Sequence, residues 1–201
     1  MTVTKANADV LDLTDAYALS GTVAFSGTVS GTTGYEFVSS ATASNSANVE
    51  FTGFTTGFDF MVEGYGLKPV TNGVKLVANL GVAGVTYRTA NYFSCSAGVY
   101  NGNSSAGDAV ATALINISVG AGLGNDTNEF CIFQLVLPDP VAAAKTFFRG
   151  TTIDHDGSGN ISVGTFGGHN SASEAMVAIK FLYNSGNISV GEFKLYKRKN
   201  A

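Results

Sequence analysis

The chain has 201 residues, with charge on only 13% of them and a formal net charge of −4. Nucleic-acid recognition wants a basic face, and the one basic run, Lys194 to Lys199, reads as a solvated end. No stretch reaches the ~18 consecutive apolar residues of a membrane span. Two histidines exclude a His-rich metal site, and two cysteines, Cys95 and Cys131, are too few for a disulfide framework. They leave one bridge or two free thiols open.

Residues 1–33 differ from the rest. Val10 to Thr14 starts a strand or a short helix, and Ser-Gly-Thr-Val then occurs twice, from Ser20 and from Ser26. Gly-punctuated repeats this short bury little alone and are stabilised by stacking or by neighbouring chains. The segment is expected to be an attachment arm or a short β stem. A flexible Gly/Ser/Thr leader is the other reading.

From Gly34 onward the pattern is β. Tyr35 to Ser40 reads as a strand, and Val49 and Phe51 alternate with Glu50 and Thr52 as in a half-buried strand. Phe58 to Tyr65 follows. Asn72-Gly73 is a strong hairpin signal ahead of strands over Val74 to Leu80 and Val85 to Arg88. Residues 89–112, rich in Asn, Ser, Gly, Tyr and Ala, are expected to be long exposed loops with one short helix around Asp108 to Leu114. Leu114 to Val119 and Glu129 to Leu137 are the next strands. The second is nearly all apolar, as expected of a strand covered on both faces, and Pro138-Asp139-Pro140 ends it. Glu174 to Leu182 admits a helix by propensity, but its β-branched residues favour a strand.

A nine-residue phrase is written twice near the C-terminus. Ser158 to Phe166 recurs as Ser185 to Phe193 with one mismatch, and its core Asn-Ile-Ser-Val-Gly occurs a third time at Asn116 to Gly120. Each long copy reads as a tight Ser-Gly-Asn turn running into an alternating strand, with short hairpins as the result. A single domain of this length suits an all-β fold. The expectation is a β-sandwich or jelly roll of about eight to ten antiparallel strands over residues 34–201, preceded by the arm.

Three sets of residues invite chemistry. Asp154, Asp156, Ser158 and Asn160 follow the spacing of a calcium loop, with Gly159 at its sharp turn, but position twelve is Thr165 instead of Glu. A plain polar hairpin turn is the competing reading, with no cofactor bound. His155 beside the two aspartates suggests acid–base work, against which adjacent strand residues face opposite ways and no nucleophile stands near by motif. Tyr87, Tyr92, Phe93 and Tyr100 lie in or beside the polar 89–112 segment. Exposed rings next to Asn and Asp can stack on sugars while the amides hydrogen-bond. Packing under the loops or at a subunit interface is the alternative.

From Ala178 to Tyr196 the chain resembles the closing hairpin of a broad group of tailed-bacteriophage virion proteins, common in aquatic phages. Those proteins end with an apolar strand, a Ser-Gly-Asn-Ile turn and a strand finishing in Leu-Tyr, here Leu195-Tyr196. Tyr35 to Phe54 looks like their opening strands. The likeness covers about residues 34–197 in layout and departs at the Lys197-Arg198-Lys199 ending. It implies a homotrimeric, jelly-roll-like domain on a fibre, tail appendage or capsid surface, with no catalytic residues. The expected function is then a non-enzymatic virion protein. The arm would join it to other virion proteins and the head would contact the host surface or its glycans. Capsid decoration is the alternative, and a polysaccharide-degrading enzyme, which needs carboxylates clustered in a cleft, is the more distant one. The first residues, Met1 to Asp9, lack the apolar core of a signal peptide. A virion surface protein, made in the host cytoplasm and released by lysis, fits that.

Overall fold

The computed structural model describes residues 34–101, 103–120 and 122–200, with the backbone alone for 104–111. The attachment arm expected over residues 1–33, with its Val10 to Thr14 and Ser20 to Gly31 elements, lies outside them.

The described residues form a β-sandwich without helices. One sheet holds β1 (Glu36–Ser46), β3 (Phe58–Pro69), β6 (Tyr92–Tyr100), β7 (Asn103–Thr112), β9 (Cys131–Leu137), β10 (Lys145–His155), β11 (Ile161–Ser173) and β13 (Ile188–Lys199). Their order is β1-β13-β3-β9-β10-β11-β6-β7. The smaller sheet holds β2 (Val49–Thr52), β4 (Leu76–Val82), β5 (Thr86–Tyr87) and β12 (Ala178–Tyr183) in the order β2-β12-β4-β5, with β8 (Ile115–Asn116) also paired to β4. Every pairing is antiparallel. The layers are unequal, eight strands against five, whereas a jelly roll shares eight strands between two sheets.

The core lies between the layers. Phe133 of β9 meets Phe181 of β12 across it at 5.3 Å between ring centres, and Phe181 meets Phe193 of β13 at 5.3 Å. Each such ring contributes roughly 2–3 kcal/mol by leaving water. The C-terminal strand β13 is paired on both sides, with β1 and with β3.

The strand count exceeds eight to ten chiefly because residues 89–112 are not loops. They form β6 and β7, a hairpin whose small residues let it lie flat beside β11, and the backbone expected to be helical near Asp108 is strand. Tyr92, Ser94 and Ser96 pair with Asn170, Gly168 and Phe166. Cross-strand packing decided this segment, where composition suggested a loop. The possible helix over Glu174 to Leu182 is absent, and β12 occupies that stretch.

Two expected hairpins are arches between the layers. Asn72-Gly73 links β3 of the large sheet to β4 of the small one, and Ser185-Gly186-Asn187 links β12 to β13 in the opposite direction. Only the first long copy of the phrase closes a true hairpin, β10 with β11. The turn itself is alike in both copies, since Gly159 and Gly186 take φ of 77° and 74°, the left-handed region that glycine enters freely. Turn chemistry reverses the chain; the burial of the flanking strands decides which layer they join. The arches also hold one another, with Val70 N–H donating to Asn187 O at 2.9 Å and Asn184 N–H donating to Lys75 O at 3.0 Å, and the Asn187 amide ties the second arch to the end of β1 by donating to Asn45 O and Oδ1, both at 3.1 Å. The third, shorter copy forms only β8 and then a buried segment, whose Ile117 N–H donates to Leu76 O at 3.1 Å.

Candidate functional site

The tip of the β10–β11 hairpin is organised by Asp156. One carboxylate oxygen accepts the Ser158 N–H at 2.9 Å and the Asn160 N–H at 2.8 Å. The other accepts the Asn160 amide at 3.1 Å and the Tyr100 hydroxyl. An ionised carboxylate has about four lone-pair positions, and protein donors fill all of them. Burial opposes the charge, but the hydrogen bonds from Tyr100, Asn160 and Ser158 outweigh it and hold the carboxyl down at about 2. Asp156 is therefore built as a turn cap and has no position left for a cation. Ser158 is exposed, and Asp154 lies on the inward side of β10, buried between the layers. The four residues with calcium-loop spacing thus divide: Asp156, Ser158 and Asn160 share the turn, and Asp154 belongs to the interior.

Asp154 faces Cys131 on β9 and Ser162 on β11 in register. Burial pushes its carboxyl above the usual range, against the opposing pull of Ser162 and the Val119 N–H. Its Oδ2 meets no hydrogen-bond partner among the described residues. Cys131 is buried and Cys95 exposed, and both thiols are free.

The four aromatics do not make one surface. Tyr92 is core: its hydroxyl accepts the Leu80 N–H at 2.8 Å and donates to Arg88 O at 3.3 Å. Tyr87 lies on the small sheet, 4.1 Å beneath the Lys180 ammonium. Tyr100 serves Asp156. Phe93 lies on the outer face of the large sheet, stacked on His169 at 5.2 Å, with Phe147 on the other side of that imidazole at 5.6 Å. Phe147, His169 and Phe93 are in register across β10, β11 and β6. Sequence reasoning missed Phe147 and His169. In Phe147-Phe148 the alternation does not say which ring turns inward, and the structure buries Phe148.

The site with free polar groups lies beside the Asp156 turn. A cleft of about 490 Å³ is lined by Asp126, Thr127, Asn128, Glu129, His155 and Gly159. Its floor is fixed. Gly124 N–H donates to His155 O at 3.0 Å, and Asp126 N–H donates to the buried Glu129 carboxylate at 2.8 Å. Lys68 donates to Asp126 O at 3.3 Å, and Asn125 donates to Val70 O at 2.8 Å. His155 packs edge-on against the exposed Phe130 ring at 5.5 Å, and its Nδ1 has no hydrogen-bond partner among the described residues. The cleft lining offers a carboxylate, an amide, a hydroxyl and an imidazole. A second cleft of about 400 Å³ runs along residues 86–91 with Ala172 and Glu174. Its charges satisfy each other, Arg88 Nε donating to Glu174 at 2.7 Å. His155 and Gly159 were the cleft residues that the sequence singled out. Asp126 to Asn128 looked like an ordinary loop and Glu129 like the start of a strand that in fact begins at Cys131, because the bonds that fix the segment come largely from distant Val70, Lys68 and His155.

Comparison with protein-family models, with curated proteins and with solved structures gave no match.

Proposed function

We propose that this chain is a non-enzymatic structural protein of a tailed-bacteriophage virion: a homotrimeric fibre or tail-appendage component whose β-sandwich head contacts host-surface glycans. Residues 1–33 serve as its attachment arm. Two things support the reading. One is the resemblance carried by residues 178–196, which form β12, the arch and β13, the strand paired on both sides within the large sheet. The observation that carries the glycan part is the polar cleft lined by Asp126 to Glu129 and His155, with the exposed Phe130 ring packed against that imidazole. Sugars are recognised by a ring that stacks on their apolar face and by carboxylates and amides that bind their hydroxyls.

Glycan-array binding by the full-length protein tests this. Binding is expected to host-type oligosaccharides, and Phe130→Ala and Asp126→Ala should each weaken it by about 1 kcal/mol, roughly fivefold. Binding unchanged in both variants, or turnover of the polysaccharide by the protein, would overturn it.

A further inference from the structure

Glu129 sinks a carboxylate into the protein beside the cleft, with one oxygen held and the other left over. The residue is only 7% exposed. Its Oε2 accepts the Asp126 N–H at 2.8 Å. Gly124 makes room for this head group, because a Cβ at that position would collide with Oε2 and the carboxyl carbon. Oε1 accepts no hydrogen bond from the described residues. It lies towards Gly159, where a Cβ would stand 3.8 Å away. Glu129 and Gly159 both line the cleft. Two glycines thus serve one carboxyl group: Gly124 seats it, and Gly159 leaves its second oxygen uncovered.

The charge of this group is not balanced within the chain. A buried carboxylate costs free energy unless an opposite charge or a full set of hydrogen bonds compensates it. The ion pairs among the described residues join Arg88 with Glu174, Lys194 with Glu192 and Arg198 with Asp59, and none reaches Glu129. Asp126 brings a second carboxylate to the lining. The Lys68 ammonium is engaged with the Asp126 carbonyl at 3.3 Å. His155 is the remaining titratable side chain of the lining, and its Nδ1 has no partner among the described residues. An acidic sugar would set its own carboxylate against those of Asp126 and Glu129, a like-charge contact that disfavours binding. A protonated amine would meet Oε1 in a charge-assisted hydrogen bond, roughly twice as strong as a neutral one.

We propose that the cleft selects a sugar bearing a protonated amine, and that Glu129 is the residue that reads it. The proposal rests on the glycan reading of this cleft and adds the class of sugar. An ammonium group carries three donors and no acceptor. The cleft lining supplies acceptors for them in the free oxygen of Glu129 and the Asp126 carboxylate. N-acetylation of the same sugar removes the charge and two of the donors, and with them the reason for the preference.

Calorimetric titration of the full-length protein near neutral pH tests this with three probes of equal length: a glucosamine oligosaccharide, its N-acetylated counterpart and a uronic-acid oligosaccharide. The wild type is expected to bind the amine form about tenfold more tightly than the N-acetylated form. The uronic-acid probe should bind more weakly than either. Glu129→Gln keeps an oxygen for the Asp126 N–H, and its melting temperature confirms that it folds. It should lose the preference and hold the N-acetylated form within about twofold of the wild type. The comparison of the amine and N-acetylated probes on the wild type needs no variant. Equal affinity for these two probes, or a preference that survives Glu129→Gln, would overturn the proposal and leave the glycan reading standing. If none of the three binds, the proposal falls, and the glycan reading falls with it when the glycan array is blank as well.

Discussion

Ile161 and Ile188 hold the same position in the repeated phrase and end on opposite sides of the large sheet. Ile161 is 50% exposed and Ile188 is fully buried. In β11 the alternation is unbroken against β10, so Ser162 and Phe166 point inward. In β13 the register against β3 shifts between Ile188 and Val190, and again before Glu192. A one-residue slip exchanges the faces of a strand. The arch from the small sheet delivers Ile188 into the core, and the irregularity then lets Val190 face solvent while Phe193 returns inward.

The same side chain should therefore carry very different weight in the two copies. Ile188→Ala is expected to cost about 2–5 kcal/mol through the cavity it leaves. Ile161→Ala should change stability by no more than about 0.5 kcal/mol. Denaturant unfolding of the two variants checks this, and equal losses would contradict the register described for β13.

Gly191 permits that irregularity. Its φ is 149°, and a Cβ there would stand 2.2 Å from Leu67 Cδ2. Gly191→Ala should destabilise by about 2 kcal/mol or more, from backbone strain together with overpacking of Leu67. Thermal unfolding reads the loss directly; a neutral substitution would mean that Leu67 yields without cost.

Much of the fold was legible in alternation and turn residues, because those signals are local. Val49 and Phe51 buried beside exposed Glu50 and Thr52 is what their spacing predicts. Pairing partners were not legible. Asn72-Gly73 and Ser185-Gly186-Asn187 announce reversals, but whether the next strand pairs or crosses to the other layer depends on contacts with residues far along the chain. Residues 92–112 defeated the reading for a related reason. Their Ser, Gly and Ala content resembles a loop until β11 supplies the opposite side of the ladder. The cleft was nearly invisible, since its loop is shaped by single hydrogen bonds over long separations such as Lys68 to Asp126.

Asp156 makes stability sensitive to acid. Its folded carboxyl binds a proton only below about 2, against an ordinary value of 3.8. Between these values the unfolded chain binds more protons, so stability rises with pH across that window. The contribution is complete above 3.8 and is lost as the pH falls through about 2. Asp156→Ala should cost about 1–3 kcal/mol near neutral pH and flatten the acid limb of the melting curve. An unchanged acid limb would contradict its role as the turn cap.

Asp154 acts with the opposite sign. Burial raises its folded carboxyl above the ordinary 3.8, so the folded state keeps its proton to higher pH than the unfolded state does. Its stabilisation is full below 3.8 and is lost as the pH rises through the folded value. Asp154→Asn removes the buried charge at nearly constant volume. It should raise stability at pH 7 by about 1–3 kcal/mol and bring no gain at pH 3. Lower stability at pH 7 would mean that the ionised carboxylate is compensated inside the sandwich.

Tyr92 joins the core to the backbone of β4. Tyr92→Phe keeps the ring and leaves the Leu80 N–H without its acceptor. The expected cost is about 1–3 kcal/mol, read by chemical denaturation, with faster hydrogen exchange at the Leu80 amide. A variant as stable as the wild type would contradict the bond.

The central proposal is that this chain is a homotrimeric surface protein. The most direct measurement is the mass of the purified full-length protein by light scattering over a range of concentrations. A stable mass three times that of the chain is the predicted result. A mass equal to one chain at every concentration would contradict it.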